Sequence, residues 1–167
     1  ELGGMDPVCE VQDLLDEMKR SDGLHIWHHV DAAYGGFFRT LDTSDPRGLS
    51  RESAAAIAAV PRVNSVTLDP HKLGYVPYAS GAFLAREKRD YCFTTFDGAP
   101  YINFDAAIDK GPFTLEGSRS AAGAVATWLT AKTMGLNAQG YGLLLERTVR
   151  IRNVLCEMLS QSGLPVR

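Results

Sequence analysis

Two short clusters carry residue types able to do covalent chemistry. Asp69-Pro70-His71-Lys72 sets a lone lysine directly after the strand-like run Val63-Asn64-Ser65-Val66-Thr67-Leu68, and Asp31-Ala32-Ala33-Tyr34-Gly35-Gly36 sets a carboxylate after a second β-prone run, Leu24 to Val30. A lysine amine adds to a carbonyl compound and holds it covalently. A carboxylate keeps a proton on a basic ring nitrogen placed against it. In open α/β sheets ligands gather in the crevice at the carboxyl ends of the strands, so an amine and a carboxylate far apart in sequence can face one ligand there. Ala32 and Ala33 are small enough for a flat ring to lie against, and Gly35-Gly36 lets backbone approach closely.

These are the groups a pyridoxal phosphate site asks for: a lysine for the Schiff base, a carboxylate facing the ring nitrogen, and small residues at the ring face. Lys72 takes the first role, provided its amine loses its proton easily in surroundings of low polarity. Asp31 takes the second. The histidines invite a metal reading, but on a strand His28 points away from His25 and His29, and no further His or Cys cluster completes a coordination shell. No metal is expected. His29 shares the Asp31 face. Arg119, near a helix start, is read either as a partner for a substrate carboxylate or as a local ion pair.

The elements that must position these groups alternate in type. Asp6 and Pro7 predict a capped helix from Pro7 to Arg20, with Val8, Val11, Leu14, Leu15 and Met18 on its packed face and Ser21-Asp22-Gly23 ending it. The run Leu24 to Val30 predicts a strand covered on both faces. Arg39 to Ser50 reads as a turn-rich stretch. Ser50 caps a helix from Arg51 to about Val60 whose alanines suit close packing on a sheet. The Val63–Leu68 strand, the Lys72 loop and a Gly81–Ala85 strand follow. Cys92 to Pro112 has no clean period and reads as an active-site or interface loop. A helix from about Arg119 to Met134 ends at Gly135, and Asn137 is expected to cap another from Ala138 to Ser162. The pattern predicts an α/β fold with a mainly parallel sheet flanked by helices, residues 1–118 forming one domain and 119–167 leading into a second.

Composition removes several alternatives. A chain of 167 residues, 45% hydrophobic, with a net charge of −3, reads as globular, without the basic stripe that nucleic-acid binding needs. No stretch reaches 18 consecutive apolar residues and no leader pattern opens the chain, so neither membrane insertion nor secretion is expected and the cytoplasm is the default. Cys9, Cys92 and Cys156 form no C-x-x-C pair, which fits free thiols.

His29 to Tyr34 and Asp69 to Lys72 together resemble the H-V-D-A-A-Y and N/D-P-H-K motifs of the group II pyridoxal-phosphate-dependent amino acid decarboxylases. Lys72 to Tyr78, Leu115 to Arg119 and Gly140-Tyr141-Gly142 are similar to the bacterial tyrosine decarboxylase branch, and Leu2 to Pro7 looks like the turn after the family's G-T-T segment. The resemblance implies a fold-type-I, aspartate-aminotransferase-like large domain and the start of the C-terminal subdomain. It implies decarboxylation of an L-amino acid, aromatic or acidic, to an amine and carbon dioxide. Lys72 would be the Schiff-base lysine and Asp31 the ring-nitrogen partner, with Ala33 a ring contact. Asp69, where many animal members have asparagine, and His71 would be cofactor-pocket neighbours, and His29 would support Asp31. Tyr101 would be the mobile-loop tyrosine that reprotonates the carbanion. The family's stacking histidine and phosphate-binding segment precede the equivalent of Glu1. The chain is therefore expected to work with the remaining part of a longer enzyme and as a homodimer. A decarboxylating oxidase or aldehyde synthase, another carbon–carbon lyase, and an inactive partner-binding homologue share these motifs.

Overall fold

Residues 4–44, 48–94 and 119–163 are described in the structure, a computed structural model. Helix α1 spans Val8–Asp22, one residue later than Pro7 predicts, because Pro7 itself stands at the cap. The expected Asp6 side-chain cap does not form; its carbonyl instead accepts the Val8 N–H at 2.8 Å. Gly23, at φ 67°, closes the helix in the left-handed conformation glycine tolerates best. The buried face is also rotated from the expected stripe: Val8 and Gln12 are buried while Leu14 is exposed. Polar contacts explain this. Arg62 reaches across to Asp13 and Asp16 at 2.6 and 2.8 Å, and the Gln12 amide donates to Asp16 at 2.9 Å while its carbonyl oxygen meets His28 Nδ1 at 2.9 Å.

Strand β1, His29–Asp31, is much shorter than the apolar run around it. The ladder cannot extend back past His29, because the His28 N–H is taken by the Asn64 side chain at 2.9 Å. Strand β2, Ser65–Leu68, pairs parallel to β1, with Asp31 opposite Thr67. Strand β3, Ala82–Ala85, pairs antiparallel to β2, so the described sheet, ordered β1-β2-β3, is mixed rather than mainly parallel. Nor is β1 covered on both faces: Val30 is half-buried against α1 and α2, while His29 and Asp31 are exposed on the other side.

Helix α2, Arg51–Ala59, starts as expected, with Ser50 Oγ accepting the Ser53 N–H at 3.2 Å. Its Ala56 and Ala59 bury against Val8 and Val63, where small side chains permit close approach. Gly35–Thr40 winds into a 3-10 turn that runs into the start of the turn-rich stretch expected from Arg39 and supplies Phe37 to a second core with Leu41, Tyr141, Leu145 and Val149. Helix α3 spans Ala122–Met134 and ends at Gly135 as predicted; it starts later than Arg119, where Ser120 Oγ accepts the Ala122 N–H at 3.2 Å. Helix α4 spans Tyr141–Gln161. Asn137 caps the turn ahead of it rather than the helix, accepting the N–H groups of Gln139 and Gly140 at 3.0 and 2.9 Å. Among the described residues no helix is long and apolar enough to cross a membrane.

Candidate active site

Because β1 and β2 run side by side in the same direction, the residues following Asp31 and Leu68 leave the sheet at one edge. Backbone hydrogen bonds lock the two exits together. Ala32 N–H donates to the Thr67 carbonyl at 2.8 Å and Asp69 N–H to the Ala33 carbonyl at 3.1 Å. Asp31 Oδ1 accepts the Ala33 N–H at 3.0 Å, a local turn that fixes the carboxylate. Gly36 is pressed against β2: a Cβ there would lie 3.0 Å from Leu68 Cβ.

Lys72 is set by successive turns. Its N–H donates to the Asp69 carbonyl at 2.9 Å, and Val76 N–H returns to the Pro70 carbonyl at 3.1 Å. The side chain folds back so that Nζ lies 2.8 Å from Asp69 Oδ2. That hydrogen bond holds the amine above the ordinary lysine value against the opposing effect of burial, and the charges of Asp69, Tyr78 and Asp31 act in the same direction. The expected easy loss of the proton in a site of low polarity is therefore not what the described chain provides: the Lys72 side chain is 35% exposed and ion-paired.

His71 is held on both sides. Its Nδ1 accepts the Ser80 N–H at 3.0 Å and its own N–H donates to the Ser80 carbonyl at 3.2 Å. With Nδ1 accepting, a neutral ring carries its proton on Nε2, which faces Asp69 Oδ2 at 3.6 Å. The Tyr78 ring stacks on the imidazole, with centroids 4.1 Å apart. On the exposed sheet face, His29 Nδ1 meets Ser65 Oγ at 2.8 Å and Nε2 meets Thr67 Oγ1 at 3.2 Å, while His28 points to the opposite side as its parity requires. Among the described residues no group of three or more His, Cys, Asp and Glu side chains could hold a metal ion.

The structure thus brings Asp31, Ala33, Asp69, His71 and Lys72 to one sheet edge, with His29 two residues back on the Asp31 face. Arg119 lines an open cleft of about 730 Å³ between Pro70, Ser80 and Gly81 on one side and Thr127 and Trp128 of α3 on the other. Lys72 does not line the cleft to which Arg119 contributes. Tyr101 lies outside the described residues. Sequence reading missed Ser80, which is buried, orients His71 and bonds Thr127 Oγ1 at 2.9 Å. Nothing in a lone serine before a glycine signals that role.

The pyridoxal-dependent decarboxylase conserved domain matches residues 1–163. The chain belongs to this family. Among curated members it is 30% identical to an L-tyrosine decarboxylase of Enterococcus faecium, over 100% of this chain and 31% of that protein. It is 35% identical to a probable L-tyrosine/L-aspartate decarboxylase of Methanothermobacter thermautotrophicus, over 95% of this chain and 40% of that one. The chain therefore spans well under half the length of these relatives. In fold it resembles mouse CSAD, with a TM-score of 0.73 at 24% identity over 97% of this chain and 30% of that one. A Burkholderia pseudomallei sphingosine-1-phosphate lyase is also similar, with a TM-score of 0.61 at 24% identity over 84% of this chain and 29% of that one.

The residues present fit the family's cofactor. One Asp31 oxygen is used by Ala33, and among the described residues no donor meets the other, which leaves an acceptor at the open edge for a protonated ring nitrogen. Lys72 supplies an amine at the same edge, and Gly36 packs closely against Leu68 at the end of β2.

Proposed function

We propose that this chain carries the lysine-bearing part of a decarboxylase site that converts an L-amino acid, aromatic such as tyrosine or acidic, to its amine and carbon dioxide. The observation that carries the reading is the pairing of Asp31 and Lys72 at adjoining ends of parallel strands, tied by the Asp69–Ala33 backbone hydrogen bond. Pyridoxal phosphate, when bound, supplies the electron sink for the pair released as the α-carboxylate departs. The chain's own residues do the rest. Lys72 would hold the cofactor through its side-chain amine. Asp31 would keep the ring nitrogen protonated, and Ala33 would contact the ring face. His29, held by two hydroxyls, flanks Asp31; His71 and Asp69 border Lys72; Arg119 receives a substrate carboxylate; and Tyr101 returns a proton to carbon.

Residues 1–118 belong, in this reading, to the cofactor-binding domain and 119–167 to the helices leading into the next. The remaining part of a longer enzyme and a second copy complete the site. The names of the relatives, which include tyrosine and aspartate, support both substrate classes.

The test is a visible absorption spectrum of the assembled protein, followed by borohydride reduction and peptide mapping. A yellow protein whose reduced label maps to Lys72 is the expected result. Intact bound cofactor with the label on another lysine would overturn the assignment.

A further inference from the structure

We infer that Asp69 is a positioning residue that controls when Lys72 can react: its carboxylate holds the amine as an ammonium at the end of β2, and removal of that proton limits the capture of a carbonyl compound. The inference rests on Lys72 being the cofactor lysine.

Three geometric facts carry it. First, the Asp69 backbone is fixed, because its N–H is bound to the Ala33 carbonyl and its own carbonyl accepts the Lys72 N–H, the turn that brings Nζ back over the carboxylate. Second, its two oxygens have separate surroundings. Oδ2 faces Nζ at 2.8 Å and His71 Nε2 at 3.6 Å, whereas Oδ1 backs onto Gly81, where an added Cβ would lie 3.3 Å away. Third, His71 is pinned by Ser80 through both its backbone N–H and its Nδ1, so it cannot turn another atom towards Asp69.

The ion pair is also sheltered on one side only. The Asp69 side chain is 15% exposed against 35% for Lys72, so the carboxylate is the fixed partner and the amine the accessible one. Around Nζ stand Asp69 from its own turn, Asp31 from the end of β1 and Tyr78 from the following loop, and His71 reaches the amine only through Asp69. For Lys72 to react, Nζ gives one proton to solvent, its lone pair forms the carbon–nitrogen bond to an aldehyde, and the aldehyde oxygen leaves as water. An asparagine in place of Asp69 keeps the shape and the turn but removes the charge that opposes the first of these steps.

Reductive methylation of the full chain by formaldehyde and cyanoborohydride, in the absence of pyridoxal phosphate and across pH 7 to 10, reads the amine directly when lysine peptides are quantified. In Asp69→Asn, the Lys72 labelling profile is expected to move to lower pH, with about a ten-fold faster rate at fixed pH for each pH unit of movement; exposed Lys132 serves as the unmoved internal reference. A Lys72 profile that stays where it was overturns the inference. If the variant does not fold, the unsubstituted chain decides. Lys72 should label more slowly than Lys132 near pH 8 and catch up at higher pH, and superimposable profiles would be fatal to the idea. Because no cofactor is used, an unmoved profile leaves the cofactor role of Lys72 standing. Conversely, a borohydride label that misses Lys72 removes that role without touching the profile.

Discussion

At the scale of single residues, the site separates charge from geometry in a way substitutions can exploit. Asp31 uses Oδ1 to accept the Ala33 N–H at 3.0 Å. An asparagine keeps that acceptor, so the turn at the strand end survives Asp31→Asn while the negative charge proposed to face the ring nitrogen disappears. Cofactor attachment to Lys72 is therefore expected to persist in this variant, still read by the reduced label, while decarboxylation slows by about two orders of magnitude, the usual cost of removing one aimed electrostatic group. Undiminished turnover in a correctly folded Asp31→Asn protein would take Asp31 out of the reaction. The contrast with Asp69 is instructive. Asp31 ends one strand and Asp69 follows the other, yet one keeps an oxygen towards the open edge and the other spends its charge on the neighbouring lysine.

At the scale of elements, α4 is fastened to the Lys72 loop by one buried group. The Tyr141 hydroxyl donates to the Gly74 carbonyl at 2.7 Å, and its ring packs 5.3 Å from that of Phe37. Gly74 is there because no side chain fits: a Cβ would stand 2.5 Å from the Pro70 carbonyl oxygen and 2.6 Å from Phe37 Cζ. Tyr141→Phe leaves that carbonyl without its buried partner and is expected to lower stability by about 1–3 kcal/mol in denaturant unfolding, with the slope of the transition unchanged. No loss would mean the carbonyl finds water instead.

This fastening was not legible in the sequence, whereas Gly23, Ser50 and Gly135 were. The difference is range. A cap or a left-handed glycine acts within a few residues and leaves a local pattern, but the Tyr141–Gly74 bond joins positions 67 residues apart. The same reasoning explains β1. Its apolar run predicts seven residues of strand, but Asn64, on the neighbouring segment, takes the His28 N–H and starts the ladder at His29. Likewise the rotated face of α1 follows from Arg62 and His28, which no helical periodicity contains. The placement of Lys72 and Asp31 at adjoining strand ends was legible because motif and strand end coincide. Ser80 was not, because it orients His71 through its own backbone N–H and carbonyl, which any residue carries.

At the scale of the whole molecule, the described chain leaves much apolar surface uncovered. On α3, Val125, Trp128 and Leu129 share one face by their spacing, and Trp128 is 62% exposed. On the second half of α4, Ile151, Val154, Leu155 and Met158 form another such stripe, with each residue more than half exposed. The cores explain why. Tyr141, Leu145 and Val149, in the first half of α4, pack against Phe37 and Leu41, and no described element reaches the stripe beyond them. Contiguous apolar helix faces of this kind cost free energy in water, at roughly 25 cal/mol for each Å² left uncovered, and favour association. The 167-residue chain by itself is therefore expected to bind an apolar dye and to sediment as more than one copy. The double substitution Val154→Glu and Met158→Glu should weaken both behaviours while leaving the Tyr141 core intact. If the chain sediments as a single copy and binds no dye, these faces are covered from within it. If instead the dye is displaced when the rest of a longer enzyme is supplied, the covering comes from there, as the family's proposed assembly requires.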